Sequence, residues 1–364
     1  VSGVVYYGDI SHEDLNIVTF RSKVAYVSQE TTLIDGTLLY NLTITNPGAS
    51  KAMVKDICNK AQINDMIKEL PDGLDTEIGE NGIKLSGGQR QRVAIGRAIV
   101  RDEKPTRVFH VAGVTKGRTY EDFARGNVMP TENLVRALEL EHPALERFVH
   151  VSSLAAYGPA APGRPLAEDA PRRPIEHYGL SKLEAEEVVE ASDLRWTIVR
   201  PSGVYGPGDV DYLELFKAAA KRVNLFFGNQ GRWFSAIYVD DCVRAILAAA
   251  EHPETVGHGY FLTDDQPTTW GRFQDRIVAT IGKRALKLDL GDRLVSLAAH
   301  AGELATRLDG KPRLMNRQKA RMGFQDAWLC SGAKAREDFG FQCEVHHDEG
   351  IRRTHAWYRD NGWY

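Results

Sequence analysis

Cysteine is scarce. The four cysteines in 364 residues are Cys58, Cys242, Cys330 and Cys343. They show neither metal-ligand spacing nor a disulfide framework. No metal site is expected, and a reducing, cytoplasmic setting fits best. No apolar run approaches the ~20 residues needed to span a bilayer. The first residues show no charged region leading into an apolar stretch, so no signal peptide is expected. A strong charge of either sign is also missing. The formal net charge of -3 gives no reason to expect nucleic acid as a partner. There is no internal repeat, low-complexity tract or Gly/Ser-rich linker. What remains is ordinary for a globular protein, with 43% hydrophobic and 26% charged residues in a chain long enough for two domains.

The composition nevertheless changes along the chain. Residues 1–104 hold seven Lys and five Arg, whereas residues 105–364 hold nine Lys and 25 Arg. Isoleucine falls from 11 in the first part to seven in the longer second part. Lys and Arg differ in geometry, but on a solvated surface their bulk usage drifts almost freely. A sharp change therefore points to two origins, joined near Lys104. The alternative is two domains of one gene with different surface chemistry.

In the first part, Val4-Val5-Tyr6-Tyr7 reads as a strand closed by the turn Gly8-Asp9, and Lys23–Val27 as a second strand. Apolar spacing predicts helix over residues 51–70, and a further helix runs from Arg90 to Val100. Ser86-Gly87-Gly88 stands just before it. Serine caps the first turn, glycine lets backbone approach a ligand, and the helix N-terminus suits a phosphate. A plain capped helix is the simpler reading of that tripeptide alone. The longer run is Leu70-Pro71-Asp72-Gly73, Gly79-Glu80-Asn81-Gly82 and Leu85-Ser86-Gly87-Gly88-Gln89-Arg90-Gln91-Arg92. It resembles the ATP-binding domain of exporter-type ABC transporters over essentially all of residues 1–104. The resemblance implies a glutamine loop at Gln29 and nucleotide contacts at Ser86, Gly87, Gly88 and Gln89. Nothing matches G-x-x-x-x-G-K-[ST], which would hold the phosphates. Val108–Gly113 follow the helix in place of a strand ending in Asp-Glu, which would handle magnesium and water. ATP hydrolysis by this chain is not expected, and ATP is not an expected cofactor.

In the second part, Arg107–Ala112 reads as a buried strand, residues 130–141 as a helix and Arg147–Ser153 as a strand. Residues 178–191 read as a helix and Trp196–Arg200 as a strand. This alternation predicts a parallel sheet with right-handed crossovers, and ligands bind such sheets at the carboxyl ends of the strands. Ser153 ends one strand. Tyr178 and Lys182 lie four apart on one helix and share a face. A nearby ammonium favours the phenolate, drawing an ordinary pKa of about 10 towards neutrality, and such a tyrosine serves as general acid or base. As an isolated pair, Tyr-x-x-x-Lys is weak evidence, being more often a solvated helix face.

Four segments in order alter that reading: Val151-Ser152-Ser153…Tyr157-Gly158, Tyr178-Gly179-Leu180-Ser181-Lys182, Arg200-Pro201-Ser202-Gly203-Val204-Tyr205-Gly206-Pro207 and Ile237–Asp241. Together they resemble the extended short-chain dehydrogenase/reductases, in the NAD(P)-dependent epimerase/dehydratase group, from about Val108 onward. The resemblance implies Ser153, Tyr178 and Lys182 as catalytic residues. It implies NAD or NADP held by Lys182, Pro201, Ser202, Gly203 and Val204, with Ala112 and Gly113 beside the cofactor. Leu154-Ala155 stand where the dehydratases carry Asp-Glu, so water elimination is not expected. The family's G-x-x-G-x-x-G and ribose reader are not found in residues 105–364, and residues 1–104 contain no substitute.

The expected fold is α/β. A parallel-sheet, Rossmann-like core in residues 105–364 is fused to a partial P-loop-NTPase-type α/β fragment in residues 1–104. Substrate binding is expected mainly from about residue 208 onward, where Phe216, Phe226, Phe227, Trp233 and Phe234 read as a ligand wall or as core. The expected chemistry is oxidation, reduction or epimerisation at a hydroxyl or ketone of a sugar nucleotide or sterol-like molecule, impaired by the missing dinucleotide loop. The expected partners are a small-molecule substrate and a second copy in a homodimer. The rival readings are a non-catalytic chimera and an ABC-type module acting only with a partner.

Overall fold

Thr37 and Ser50 are helix caps by their chemistry, each offering a hydroxyl to an otherwise unbonded N–H of the first turn. In the computed structural model Thr37 accepts from Tyr40 N and opens α1 (Leu38–Thr43), while Ser50 accepts from Met53 N and opens α2 (Lys51–Lys60). The structure describes residues 6, 7, 10, 11, 33–44, 48–61, 63–79, 85, 89, 93, 106–142, 144–292 and 321–364. Lys23–Val27, Gln29, Ser86, Gly87 and Gly88 lie outside the described residues.

The chain divides into two compact units. The first comprises Val1–Thr115, Glu121–Phe148 and Glu187–Trp196, and the second Lys116–Tyr120, Val149–Glu186 and Thr197–Tyr364.

In the first unit, Tyr6–Tyr7 pairs antiparallel with Ile10–Ser11, as the strand-and-turn reading of this stretch implies. The helical pattern over residues 51–70 resolves into α2 and α3 (Asn64–Glu69). Their apolar faces close on Leu33, Leu38, Leu42 and Ile78 in a small core of their own. β1 (Arg107–His110) follows, then α4 (Met129–Glu141). The strand expected to be buried through Ala112 ends at His110, its one buried residue, and Val111 is 63% exposed. The reason is position: β1 is the last strand of its sheet among the described residues.

β2 (Arg147–Val151) and β3 (Trp196–Pro201) carry the chain from the first unit into the second. Backbone N–H groups of Phe148 and Ser152 donate to the carbonyls of Arg195 and Val199. Equal advance along both strands is the parallel register. β7 (His258–Leu262) pairs parallel with β3, from His258 opposite Thr197 to Leu262 opposite Pro201. The order is β7, β3, β2, β1, a Rossmann-like parallel sheet whose buried strands read as apolar runs.

α5 (His177–Glu190) follows β2 and lies in the second unit through Glu186, and in that unit β4 (Gly203–Tyr205) follows β3. After α6 (Leu213–Ala220) and β5 (Val223–Phe227), β6 (Ala236–Tyr238) pairs parallel with β4 and leads into α7 (Val239–Glu251). α8 (Trp270–Ile281), capped by the Thr269 hydroxyl, precedes β8 (Leu286–Leu290), which pairs parallel with β5. α9 (Ala333–Phe339) and α10 (His347–Asp360) complete the unit. Of the aromatic residues offered as wall or core, Phe216, Phe226 and Phe234 are buried. Phe234 stacks on Trp270 with ring centroids 4.2 Å apart. They are core.

Candidate active site

Ser153 stands two residues beyond the end of β2. Its backbone is extended, and its hydroxyl accepts from Ala155 N at 3.2 Å, capping the short turn Leu154–Ala156. The hydroxyl also meets the phenol of Tyr178, on the first turn of α5. One helical turn on, Lys182 Nζ donates to the Val151 carbonyl at 2.7 Å. One strand end and one helix face thus bring together the three residues that sequence reasoning selected, all in the second unit.

The helix meets the turn closely because residue 179 is glycine. A Cβ there would stand 2.3 Å from the Ala155 carbonyl oxygen, well inside contact distance. Glu176 fixes the start of the same helix. Its carboxylate accepts from Tyr178 N and Gly179 N, each at 2.6 Å, so it binds two amides of the first turn and complements the helix dipole. Sequence reasoning does not mark Glu176 or Gly179. The available signals were an acid at the cap position and a glycine inside a helical pattern.

Burial sets the electrostatics. It pushes the Tyr178 phenol above its ordinary value, the Ser153 bond draws it partly back, and Glu176 pushes it up again. Lys182, 3% exposed, is pulled down to about 8 by burial, against the opposing pull of Glu186. The expectation that Lys182 draws Tyr178 towards neutrality is therefore corrected for the protein alone. The phenol stays protonated, and the ammonium is turned onto the strand carbonyl. Burial likewise raises Glu176, partly offset by its two amide bonds.

The other sequence-selected residues of the second unit stand at and just beyond the carboxyl end of β3. Pro201 closes β3, Ser202 N donates to Leu262 O at 3.0 Å, Gly203 N donates to Ser235 O at 3.1 Å, and Val204 lies in β4. The hydroxyls of Ser152 and Ser202, at the carboxyl ends of neighbouring strands, are buried without a hydrogen-bond partner among the described residues. A buried hydroxyl left so is costly, and a polar ligand group would satisfy it. Leu154 and Ala155 are buried apolar residues. Ala112 and Gly113 are half-buried in the first unit, just after β1. Gln89 is half-buried and helical. Among the described residues, no group of three or more His, Cys, Asp or Glu could hold a metal, and no helix is long and apolar enough to cross a membrane.

Two family models match the chain. Residues 84–262 match the NAD dependent epimerase/dehydratase family, and residues 1–105 match the ABC transporter family. A ceramide reductase of Caulobacter vibrioides is 30% identical over 276 residues, which cover 73% of this chain and 78% of the reductase. An ATP-dependent lipid A-core flippase of Shewanella oneidensis is 44% identical over 102 residues. The match covers 28% of this chain but only 17% of the flippase. In fold, the chain resembles the UDP-glucuronic acid 4-epimerase of Bacillus cereus solved with NAD. The TM-score is 0.58 at 19% identity, covering 72% of this chain and 77% of that one.

Proposed function

The chain belongs to the NAD dependent epimerase/dehydratase family, and from that premise we propose that it reduces a ketone, or oxidises the matching secondary alcohol, with Tyr178 as acid or base. The convergence of Ser153, Tyr178 and Lys182 at the end of β2 carries this reading. A phenol held protonated by burial is suited to donate a proton to a ketone oxygen, which is the reductive direction. The Ser153 hydroxyl would hold the same oxygen. The buried hydroxyl of Ser202 fits the polar end of a nicotinamide, and Lys182 fits its ribose. The nicotinamide would supply or accept the hydride.

The pyrophosphate end has no such support, since G-x-x-G-x-x-G does not occur in residues 105–364. Weak cofactor binding, to NAD or NADP, is part of the proposal. Leu154 and Ala155 offer no acid or base for eliminating water. The kinship with a ceramide reductase favours a ketone on a lipid-like molecule over a sugar nucleotide. Residues 1–104 form a second, partial module in this reading. They match only a small share of the flippases and lack the phosphate loop of an ATPase.

The second reading is a non-catalytic chimera, favoured by the change in Lys and Arg usage at residue 104. Titration with NADH and NADPH, followed by nicotinamide fluorescence, separates the two. Saturable binding up to millimolar concentration, lost in Lys182→Met, is expected. Absence of saturation at millimolar nucleotide refutes the reductase reading and leaves the chimera.

A further inference from the structure

A strand with one wet face ordinarily turns its apolar residues to the core and its polar ones to water. β8, Leu286-Lys287-Leu288-Asp289-Leu290, does the reverse. Its polar residues bond to the rest of the unit: Lys287 Nζ donates to Asp275 of α8 at 2.8 Å, and Asp289 accepts from Gln230 Nε2 at 3.1 Å. Leu286 is 65% exposed and Leu288 42%. The parallel neighbour β5 keeps the same two sides. Asn224, opposite Lys287, donates to the same Asp275 at 3.3 Å, and Phe226 is buried. Val223 stands opposite Leu286 and Leu225 opposite Leu288. The two-stranded sheet thus presents leucines to solvent on the side away from α8, and exposed apolar surface of this kind marks an interaction site.

The charges beside it are unevenly spread. Lys221-Arg222 lead directly into β5, and Lys283-Arg284 stand just before β8. Because the strands are parallel, both basic pairs lie at one end of the sheet. There Leu286 N donates to Arg222 O at 2.9 Å and Lys283 Nζ to Ala220 O at 3.1 Å. All four cations are exposed, and among the described residues none is in an ion pair. The chain as a whole has a formal net charge of -3, so this is a local concentration of positive charge beside exposed leucines.

We propose that this face seats the protein on an anionic lipid bilayer, with Leu286 and Leu288 at the headgroup–acyl boundary and the four cations on lipid phosphates. Peripheral binding of this kind scales with the apolar area buried plus the attraction to anionic lipid. Charge complementarity selects the bilayer over a second copy of the chain. Asp275 and Asp292 beside this face are already paired, with Lys287 and Arg232, so a second copy would bring little free negative charge to the four cations. The inference stands apart from the reductase reading, since it needs neither cofactor nor turnover.

The test is flotation of the full chain, without nucleotide, on vesicles of phosphatidylcholine and on the same vesicles holding about one-third phosphatidylglycerol. Binding is expected to the anionic vesicles only. It is expected to weaken as salt rises from about 0.1 M to about 1 M, which cuts the screening length from about 10 Å to about 3 Å. Leu286→Gln/Leu288→Gln is expected to weaken binding at least ~10-fold. Lys221→Gln/Arg284→Gln is expected to weaken it roughly 25-fold at low salt, from about fivefold per cation. All four positions are exposed, so the urea midpoint is expected to hold in both variants. Equal binding to neutral vesicles, no binding to anionic ones, or unchanged affinity in either variant overturns the proposal. So does a parent dimer, seen by light scattering, that the leucine substitutions split, because it assigns the face to a second copy. Failure of nucleotide binding would overturn the proposed function and leave this measurement intact.

Discussion

Gly179→Ala pits two effects of known size against each other. Inside a helix, alanine is favoured over glycine by about 1 kcal/mol, so propensity alone predicts a more stable protein. At this position the added methyl would stand 2.3 Å from the Ala155 carbonyl oxygen and 2.8 Å from Glu176 Oε1. Carbon–oxygen neighbours settle near roughly 3.3 Å, so the turn and the helix must part by about 1 Å. The obstructing atom is backbone, in a turn pinned by the Ser153 cap, and cannot swing aside. Overpacking of this kind costs about 1–3 kcal/mol and outweighs the propensity gain. The expected net loss is up to about 2 kcal/mol in urea unfolding. The same displacement separates Ser153 from Tyr178. On the proposed function, a misplacement of that size costs on the order of 100-fold in rate, read as NADH-dependent reduction of a ketone. A variant as stable as the parent, with unchanged turnover, would refute the account of why this helix meets this turn.

Two further outcomes follow from the site. Tyr178→Phe keeps the ring and removes the acid, so turnover is expected to fall to background while the urea midpoint moves little; retained turnover would exclude Tyr178 as the proton donor. For Lys182, burial lowers the folded-state pKa to about 8 from an ordinary 10.5, so the charged form costs stability. That cost is complete below about pH 8 and fades as pH rises to 10.5, giving Lys182→Met an advantage of up to about 3 kcal/mol at pH 7. Unfolding curves at pH 7, 9 and 10.5 should show the advantage shrinking, and a gap independent of pH would refute the assignment.

The elements of the second part were legible where apolar runs alternate with helical patterns. The helix predicted over residues 178–191 is His177–Glu190, and the strand predicted over Trp196–Arg200 is Trp196–Pro201. Burial was less legible. An i,i+4 spacing of charges reads as a solvated face, yet Lys182 and Glu186 both point inward. Glu186 pairs with Arg200, 14 residues along the chain, and Lys182 with the Val151 carbonyl, each partner on another element. Local periodicity carries no trace of either. For Arg107–Ala112 the error ran the other way. An apolar run was read as buried, and its place at the end of the described sheet leaves Val111 exposed.

By itself, then, the sequence determined the chemistry on offer. Residue type and order are enough to single out Ser153, Tyr178 and Lys182 as candidates, to show Leu154-Ala155 as apolar, and to show the change in Lys and Arg usage near Lys104. Tertiary structure alone decided the electrostatics of the site. Desolvation and charge pairing depend on distances across the fold. Those distances place Lys182 against the Val151 carbonyl, Glu176 beneath the first turn of α5, and Glu186 between two arginines.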